Sequence, residues 1–133
     1  MDDKATAVQE LKDLAEKFRA ERNWGKHHTA KNLAASISIE AAELLEHYQW
    51  GEYAPDEAKG EIEGELADIV IYCLFFAVSN GIDIASAVER KIEKSSKKYP
   101  VSTFNHETDD PKEYWRIKNA HRKGPGAGEE EKK

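Results

Sequence analysis

A chain of 133 residues is long enough for one domain with a substantial core and too short for two independent ones. Charged residues make up 35% of it and the formal net charge is −6, which argues against a surface built to hold nucleic acid by its phosphates. A small nucleotide carried with a divalent cation is compatible with that sign. Cys73 is the only cysteine, so an intramolecular disulfide and a cysteine cluster are excluded, and its apolar neighbours mark it as a core thiol.

The N-terminal stretch MDDKATAVQELKDL carries acids where a secretory signal has a basic region. The longest apolar run, residues 66–78, is interrupted by Asp68 and falls short of the roughly 20 residues that span a bilayer. A cytoplasmic protein without a membrane partner is the expectation. Val8, Leu11, Ala15 and Phe18 then recur at helical spacing and predict an amphipathic helix over about 5–22, most of its charges forming a solvated face. In the following loop, Arg22-Asn-Trp-Gly-Lys-His-His-Thr, Gly25 breaks the pattern and aromatic, basic and imidazole side chains crowd together. Two readings stand: ligand contacts, or Trp24 plugging the core beside solvated histidines.

A second helix over about 30–49 follows from Leu33, Ile37, Ala41, Leu44, Leu45 and Tyr48, with Trp50-Gly51 closing it. Glu40 and Glu43 lie on its face beside the apolar arc, at a core boundary where attraction to a cation is less screened than on an open surface. Residues 51–60 read as a connecting loop. The third helix, about 59–79, opens with Glu61, Glu63 and Glu65, which the positive end of a helix favours, but Asp68 lies a turn further in, within an apolar segment. A helix apolar all round must be covered on all faces, so an oligomer is expected. Asn80-Gly81 ends it, a fourth helix runs to about residue 98, and Asp110-Pro111-Lys112-Glu113 predicts the start of a short fifth. The expected architecture is all-α: a four-helix-bundle-type core with a short extra C-terminal helix, one domain over 1–122, and a disordered tail over 123–133.

The chemistry concentrates in Glu40-x-x-Glu43 and Glu65-x-x-Asp68. Positions i and i+3 of a helix are neighbours, so each couple aims two carboxylates the same way. Four converging carboxylates form an all-oxygen, strongly negative site suited to Mg²⁺ or Mn²⁺, and with it to hydrolysis of a phosphoanhydride. A di-iron bundle site fits poorly, because His47 follows Glu43 by four residues and the third helix has no histidine.

The two couples, together with Phe18-x-x-Glu21-Arg22-x-Trp24-x-x-x-His28-x-x-x-Asn32-Leu33, Gln49-Trp50, Asp68-Ile-x-Ile-Tyr72 and Lys98-Tyr99-Pro100, resemble the MazG-like, all-α nucleoside triphosphate pyrophosphohydrolases, in their dCTP pyrophosphatase branch. The resemblance implies a homotetramer in which Glu40, Glu43, Glu65 and Asp68 are the catalytic and metal-binding residues and hold Mg²⁺. It implies hydrolysis between the α and β phosphates, with release of the nucleoside monophosphate and pyrophosphate. It places Trp24 and Trp50 on either side of the base, Tyr72 against the substrate, and His28 and Asn32 near the pocket. Lys31, Lys91 and Lys98 are candidate phosphate partners by charge alone, each with the alternative of a solvated lysine. The sequence departs from the pattern at Ala15, where some relatives carry a substrate-contacting histidine, and at Ser95, where they often carry asparagine. The expected activity is a Mg²⁺-dependent pyrophosphohydrolase acting on dCTP or related and modified pyrimidine deoxynucleotides, in nucleotide-pool house-cleaning. The alternatives are dUTP or another phosphoanhydride as substrate, and a non-catalytic, metal-binding helical scaffold.

Overall fold

The computed structural model describes residues 1–104 and 110–122, and within them the chain is all-α, without a strand. The tail expected at 123–133 lies outside the described residues. Six helices follow one another: α1 (Val8–Glu21), α2 (Ala30–Glu46), α3 (Lys59–Ser79), α4 (Ile84–Lys98), α5 (Val101–Phe104) and α6 (Pro111–Arg122). Short 3₁₀ turns, Trp24–His27 and Asp56–Ala58, precede α2 and α3. The chain forms two compact units, Met1–Ala85 and the part from Ser86 onward.

In the first unit, α2 and α3 pack side by side and α1 lies against α3. The core they enclose is small: Ala15, Leu33, Leu74 and Phe75, flanked by Leu11, Tyr72, Phe76 and Ile84. Among the described residues, Leu33 alone is fully buried. Cys73 is half-buried, and desolvation pushes its thiol above the ordinary range, in keeping with a packing role. At the start of α1, Glu10 accepts a 2.7 Å hydrogen bond from the Ala7 amide; Ala7 has no side-chain oxygen to return it. Thr29 caps α2 by accepting from the Asn32 amide at 3.2 Å.

The buried face of α1 differs from the one expected. Val8 and Phe18 are 39% and 41% exposed, whereas Lys12 and Arg19 are buried beside Ala15. Both cations reach the far end of α3: Lys12 Nζ donates to the Ile82 carbonyl at 2.7 Å and Arg19 to Ser79 Oγ at 2.8 Å, Arg19 also donating to Glu16 of its own helix at 2.6 Å, while its buried Nε has no partner among the described residues. The C-terminal end of a helix is its negative pole, so two of the charges read as a solvated face instead tie α1 to α3. That end is itself closed by a glycine cap, in which Ile82 N donates to Ala77 O (2.9 Å) and Gly81 N to Val78 O (3.3 Å), with Gly81 at φ +62°.

The second unit contains most of α4, then α5 and α6. A helical turn at α5, directly after Pro100, was not expected from the sequence. At α6, Asp110 caps as predicted, its side chain accepting from the Lys112 amide at 2.9 Å. Glu113 does not reach back to close the box; it forms a two-pronged pair with Arg116.

Candidate active site

Two groups of candidate residues gather on the α2–α3 pair. Contacts between His28, at the start of α2, and Tyr72 and Phe75, late in α3, together with the meeting of Glu40 and Glu43 with Glu65, show that the two helices run antiparallel.

Glu40, Glu43 and Glu65 each offer a carboxylate oxygen, and these oxygens lie within 4.8 Å of one another. Glu40 and Glu65 are half-buried and Glu43 is exposed. Asp68 is exposed and is not one of the three that converge, although its charge acts on Glu40 through space. Desolvation first, then the charges of Glu43, Asp68 and Glu65, push the Glu40 carboxyl above its ordinary range. The other three acids therefore all act on Glu40, and a bound cation would relieve that repulsion. An all-carboxylate donor set with this crowding fits Mg²⁺ or Mn²⁺.

The second group is aromatic. The rings form a chain of contacts from Phe18 to Trp24 (5.5 Å between centroids), Trp24 to His28 (6.4 Å) and His28 to Tyr72 (6.4 Å), with Phe75 5.1 Å from His28 and 6.0 Å from Tyr72. The loop that carries Trp24 and His28 is held in shape from α2: Asn23 takes a left-handed conformation (φ 52°), and the Asn32 side chain donates to the His27 carbonyl at 2.9 Å. Asn32 thus positions the loop. Burial, and then the nearby charges of Arg19 and His27, lower the His28 pKa against a weaker opposing effect from Glu16. Among the described residues, His28 Nδ1 is buried without a hydrogen-bond partner, an unusual state that leaves one polar atom available inside an aromatic cage.

Tyr72 links the two groups. It follows Asp68 by one turn on α3, so Glu65, Asp68 and Tyr72 lie along one stripe of the helix while the Tyr72 ring meets His28. Trp50 is not brought to the cage: it is 92% exposed in the turn after α2. Lys31 is exposed, and Lys91 and Lys98 belong to the second unit, where they line a pocket between α4 and α6. Phe75 and Arg19 join the cage without having been anticipated, beside Phe18 and Arg22 of the quoted pattern; Arg19 lies 5.3 Å from the Phe75 ring centroid and Arg22 3.8 Å from that of Phe18. Phe75 carried a signal, its i+3 spacing from Tyr72. Ala15, the departure noted above, packs in the core with Phe75 and brings no polar group to the cage.

A pyrophosphatase from Archaeoglobus fulgidus DSM 4304 has a similar structure, with 45% sequence identity and a TM-score of 0.66, over 75% of this chain and 98% of that one. Among curated proteins, dCTP pyrophosphatase 1 of Bos taurus is 32% identical over 104 residues, and that of Homo sapiens 30% over 101. Each match covers 71% of this chain, which spans only about 60% of the length of these relatives. The MazG-like family model matches residues 35–113, a stretch that holds both acidic couples and Tyr72 and exceeds half the chain. With the paired carboxylates, all of α3 and most of α2 inside the matched region, the chain belongs to the MazG-like family.

Proposed function

We propose that this protein is a divalent-metal-dependent nucleoside triphosphate pyrophosphohydrolase that cleaves dCTP, or a related or modified pyrimidine deoxynucleotide, to the monophosphate and pyrophosphate. The observation that carries the reading is the junction at Tyr72 between a carboxylate cluster and an aromatic cage. One end suits a cation with phosphates and the other suits a base. The relatives named as dCTP pyrophosphatases support a nucleotide substrate and, more finely, its base. Glu40, Glu43, Glu65 and Asp68 would hold Mg²⁺, with Mn²⁺ as a substitute. When bound, the cation supplies charge neutralisation to the phosphate oxygens and acidifies an attacking water.

The chain's own residues do the rest. Trp24 offers a flat face for a base, and His28, held neutral by burial and by Arg19, offers its free Nδ1 for a polar group on that base. Asn32 fixes the loop that presents both. We further propose a homo-oligomer, a tetramer as the family resemblance implies, working in the cytoplasm: Leu66, Val70 and Ile71 of α3 and Leu45 of α2 leave 55%, 44%, 36% and 65% of their surface exposed in the single chain. Trp50 on a neighbouring copy is then the candidate for the second face of the base.

The test is a panel of nucleoside triphosphates with Mg²⁺ and separate assays for pyrophosphate and orthophosphate. Pyrophosphate release, fastest with a pyrimidine deoxynucleotide, is expected; orthophosphate release or no turnover sinks the reading. A preference for dUTP would keep the chemistry and change the substrate. Asp68→Asn, close in shape and one charge poorer, is expected to lower kcat/KM by about 100-fold or more, on the order of 3 kcal/mol of lost transition-state stabilisation. Full activity in Asp68→Asn would remove Asp68 from the metal site.

A further inference from the structure

The proposed reaction makes no direct use of Arg19, a charged residue of α1 that is only 7% exposed. Two hydrogen bonds anchor its guanidinium, one to Ser79 Oγ at 2.8 Å in the last turn of α3 and one to Glu16 at 2.6 Å, a turn back on α1. Its Nε is buried without a partner among the described residues, and an unsatisfied buried donor costs stability. A tie between α1 and α3 does not require that cost: Lys12 makes the same kind of tie with a single ammonium bonded to the Ile82 carbonyl. What sets Arg19 apart is its position. Its Cζ lies 5.3 Å from the centroid of the Phe75 ring, and the His28 ring lies 5.1 Å from that same centroid. Phe75 is 2% exposed, so guanidinium, phenyl ring and imidazole belong to one packed group.

His28 Nδ1 is the second buried atom without a partner among the described residues. An orphaned lone pair is tolerated more readily than an orphaned N–H, so Nδ1 is the unprotonated nitrogen of the ring and an acceptor. It remains an acceptor only while the ring is uncharged, because both nitrogens of an imidazolium are donors. The groups around the ring pull in both directions. Burial, then Arg19 of α1, then His27 of its own loop disfavour the imidazolium, whereas Glu16 of α1 favours it; from α3 the ring meets Tyr72 at 6.4 Å. Arg19 is thus the foremost charged group holding His28 in the form that can accept, and it is Arg19 that packs on the ring behind it.

We infer that Arg19 is a positioning residue for base recognition, acting on His28 through the ring of Phe75 so that the cage prefers a pyrimidine with a 4-amino group to one with a 4-oxo group. The inference rests on a nucleotide as the substrate. A 4-amino group donates to Nδ1 when the base enters the cage, whereas a 4-oxo group sets one lone pair against another. Ala15, in the core beside Phe75, brings no polar group that could make the distinction instead. Arg19 itself does not touch the base: it keeps the ring that reads the base in place and uncharged.

Nuclear magnetic resonance of the full chain, titrated with dCMP or dUMP in metal-free buffer, reads both the imidazole and the base preference without turnover. The His28 signals are those missing from His28→Gln. The native chain is expected to show an unprotonated Nδ1 and to bind dCMP about tenfold more tightly than dUMP between about pH 8 and 6. Arg19→Met keeps the length of the side chain and removes its charge. It should move the His28 titration to higher pH and cut the dCMP preference at about pH 6 to roughly a third or less of the native one. Glu16→Gln should move the titration the opposite way, and it decides the matter if Arg19→Met does not fold. Lys12→Met removes the other buried cation of α1 and should change neither the titration nor the preference, as a purely structural tie would. An unshifted His28 in Arg19→Met or Glu16→Gln, an equal shift in Lys12→Met, a protonated Nδ1 in the neutral ring, or equal native affinities for dCMP and dUMP would overturn the role of Arg19. Monophosphate binding as described without turnover of any triphosphate would count against the hydrolase alone.

Discussion

His28 shows how much one residue's surroundings decide. In the sequence it was one of two adjacent histidines in a basic loop, equally readable as solvated or as a ligand contact. In the fold, its ring is packed against Phe75, Tyr72 and Trp24, and burial together with Arg19 and His27 disfavours its charged form, Glu16 alone opposing them. The consequence for stability follows from the lowered pKa. Above the ordinary histidine value of 6.5, folded and unfolded states are both neutral at this position, and its contribution is fully present. As pH falls below that value the unfolded chain takes up a proton first, so stability is lost progressively until the folded pKa is passed. Thermal denaturation from about pH 7.5 to 5 should therefore show a decline that His28→Gln makes shallower; an unchanged slope in the variant would assign the decline to other groups. Lys12 and Arg19 carry the same lesson. Neither periodicity nor charge distinguished them from the other basic residues of α1, because what buries them is the closed end of α3, about 60–70 residues away along the chain.

At the scale of elements, local chemistry was a good guide wherever a helix end is made by its own neighbours. Asn80-Gly81 ends α3 as expected, and the left-handed Gly81 completes the cap while the Ile82 carbonyl is passed to Lys12. A Cβ at Gly81 would meet nothing within 4 Å, so the obstacle to a side chain there is backbone conformation alone. Gly81→Ala should destabilise the protein by about 1–2 kcal/mol, read from urea unfolding, with little change in the m-value. A neutral result would mean that the turn relaxes to a right-handed path. Asp110 and Pro111 likewise announced α6, but the partner of Glu113 did not follow from the capping pattern, since Arg116, one turn on, offers a charge-assisted alternative. The α5 turn had no such signal: four residues contain too little periodicity to register.

For the molecule as a whole, the acids and the apolar surface make linked predictions. A cluster in which Glu43, Asp68 and Glu65 disfavour the charge on Glu40 should welcome a divalent cation, so Mg²⁺ at about 100 times its dissociation constant should add about 2.7 kcal/mol of stability, seen as a rise in Tm that a chelator reverses. Glu43→Gln should abolish most of that rise. If Mg²⁺ leaves the Tm of the native chain unchanged, the carboxylates are not a metal site. The exposed apolar residues of α3 predict self-association: Leu66→Asp with Val70→Asp should shift the mass found by sedimentation velocity towards that of a single chain. A native chain that sediments as a monomer would overturn the oligomer. Asp68 belongs to the same question. It was expected in a buried segment, yet the single chain leaves it exposed, as it leaves Leu66 and Val70.

By itself the sequence determined the all-helical class, the positions of the main helices and the two i, i+3 carboxylate couples, because each depends on spacing within one helix or on chemistry at its ends. It also marked Trp24, His28 and Tyr72 as candidates. Only the tertiary structure decided that Glu65 meets Glu40 and Glu43 while Asp68 acts on Glu40 by charge, that Trp24, His28 and Tyr72 form one cage with Phe75, that Trp50 stands apart from it, and that five cations of α4 and α6 surround a single pocket. The reason is physical: helical periodicity says which residues share a face, but which faces meet is settled by packing between segments distant in the chain.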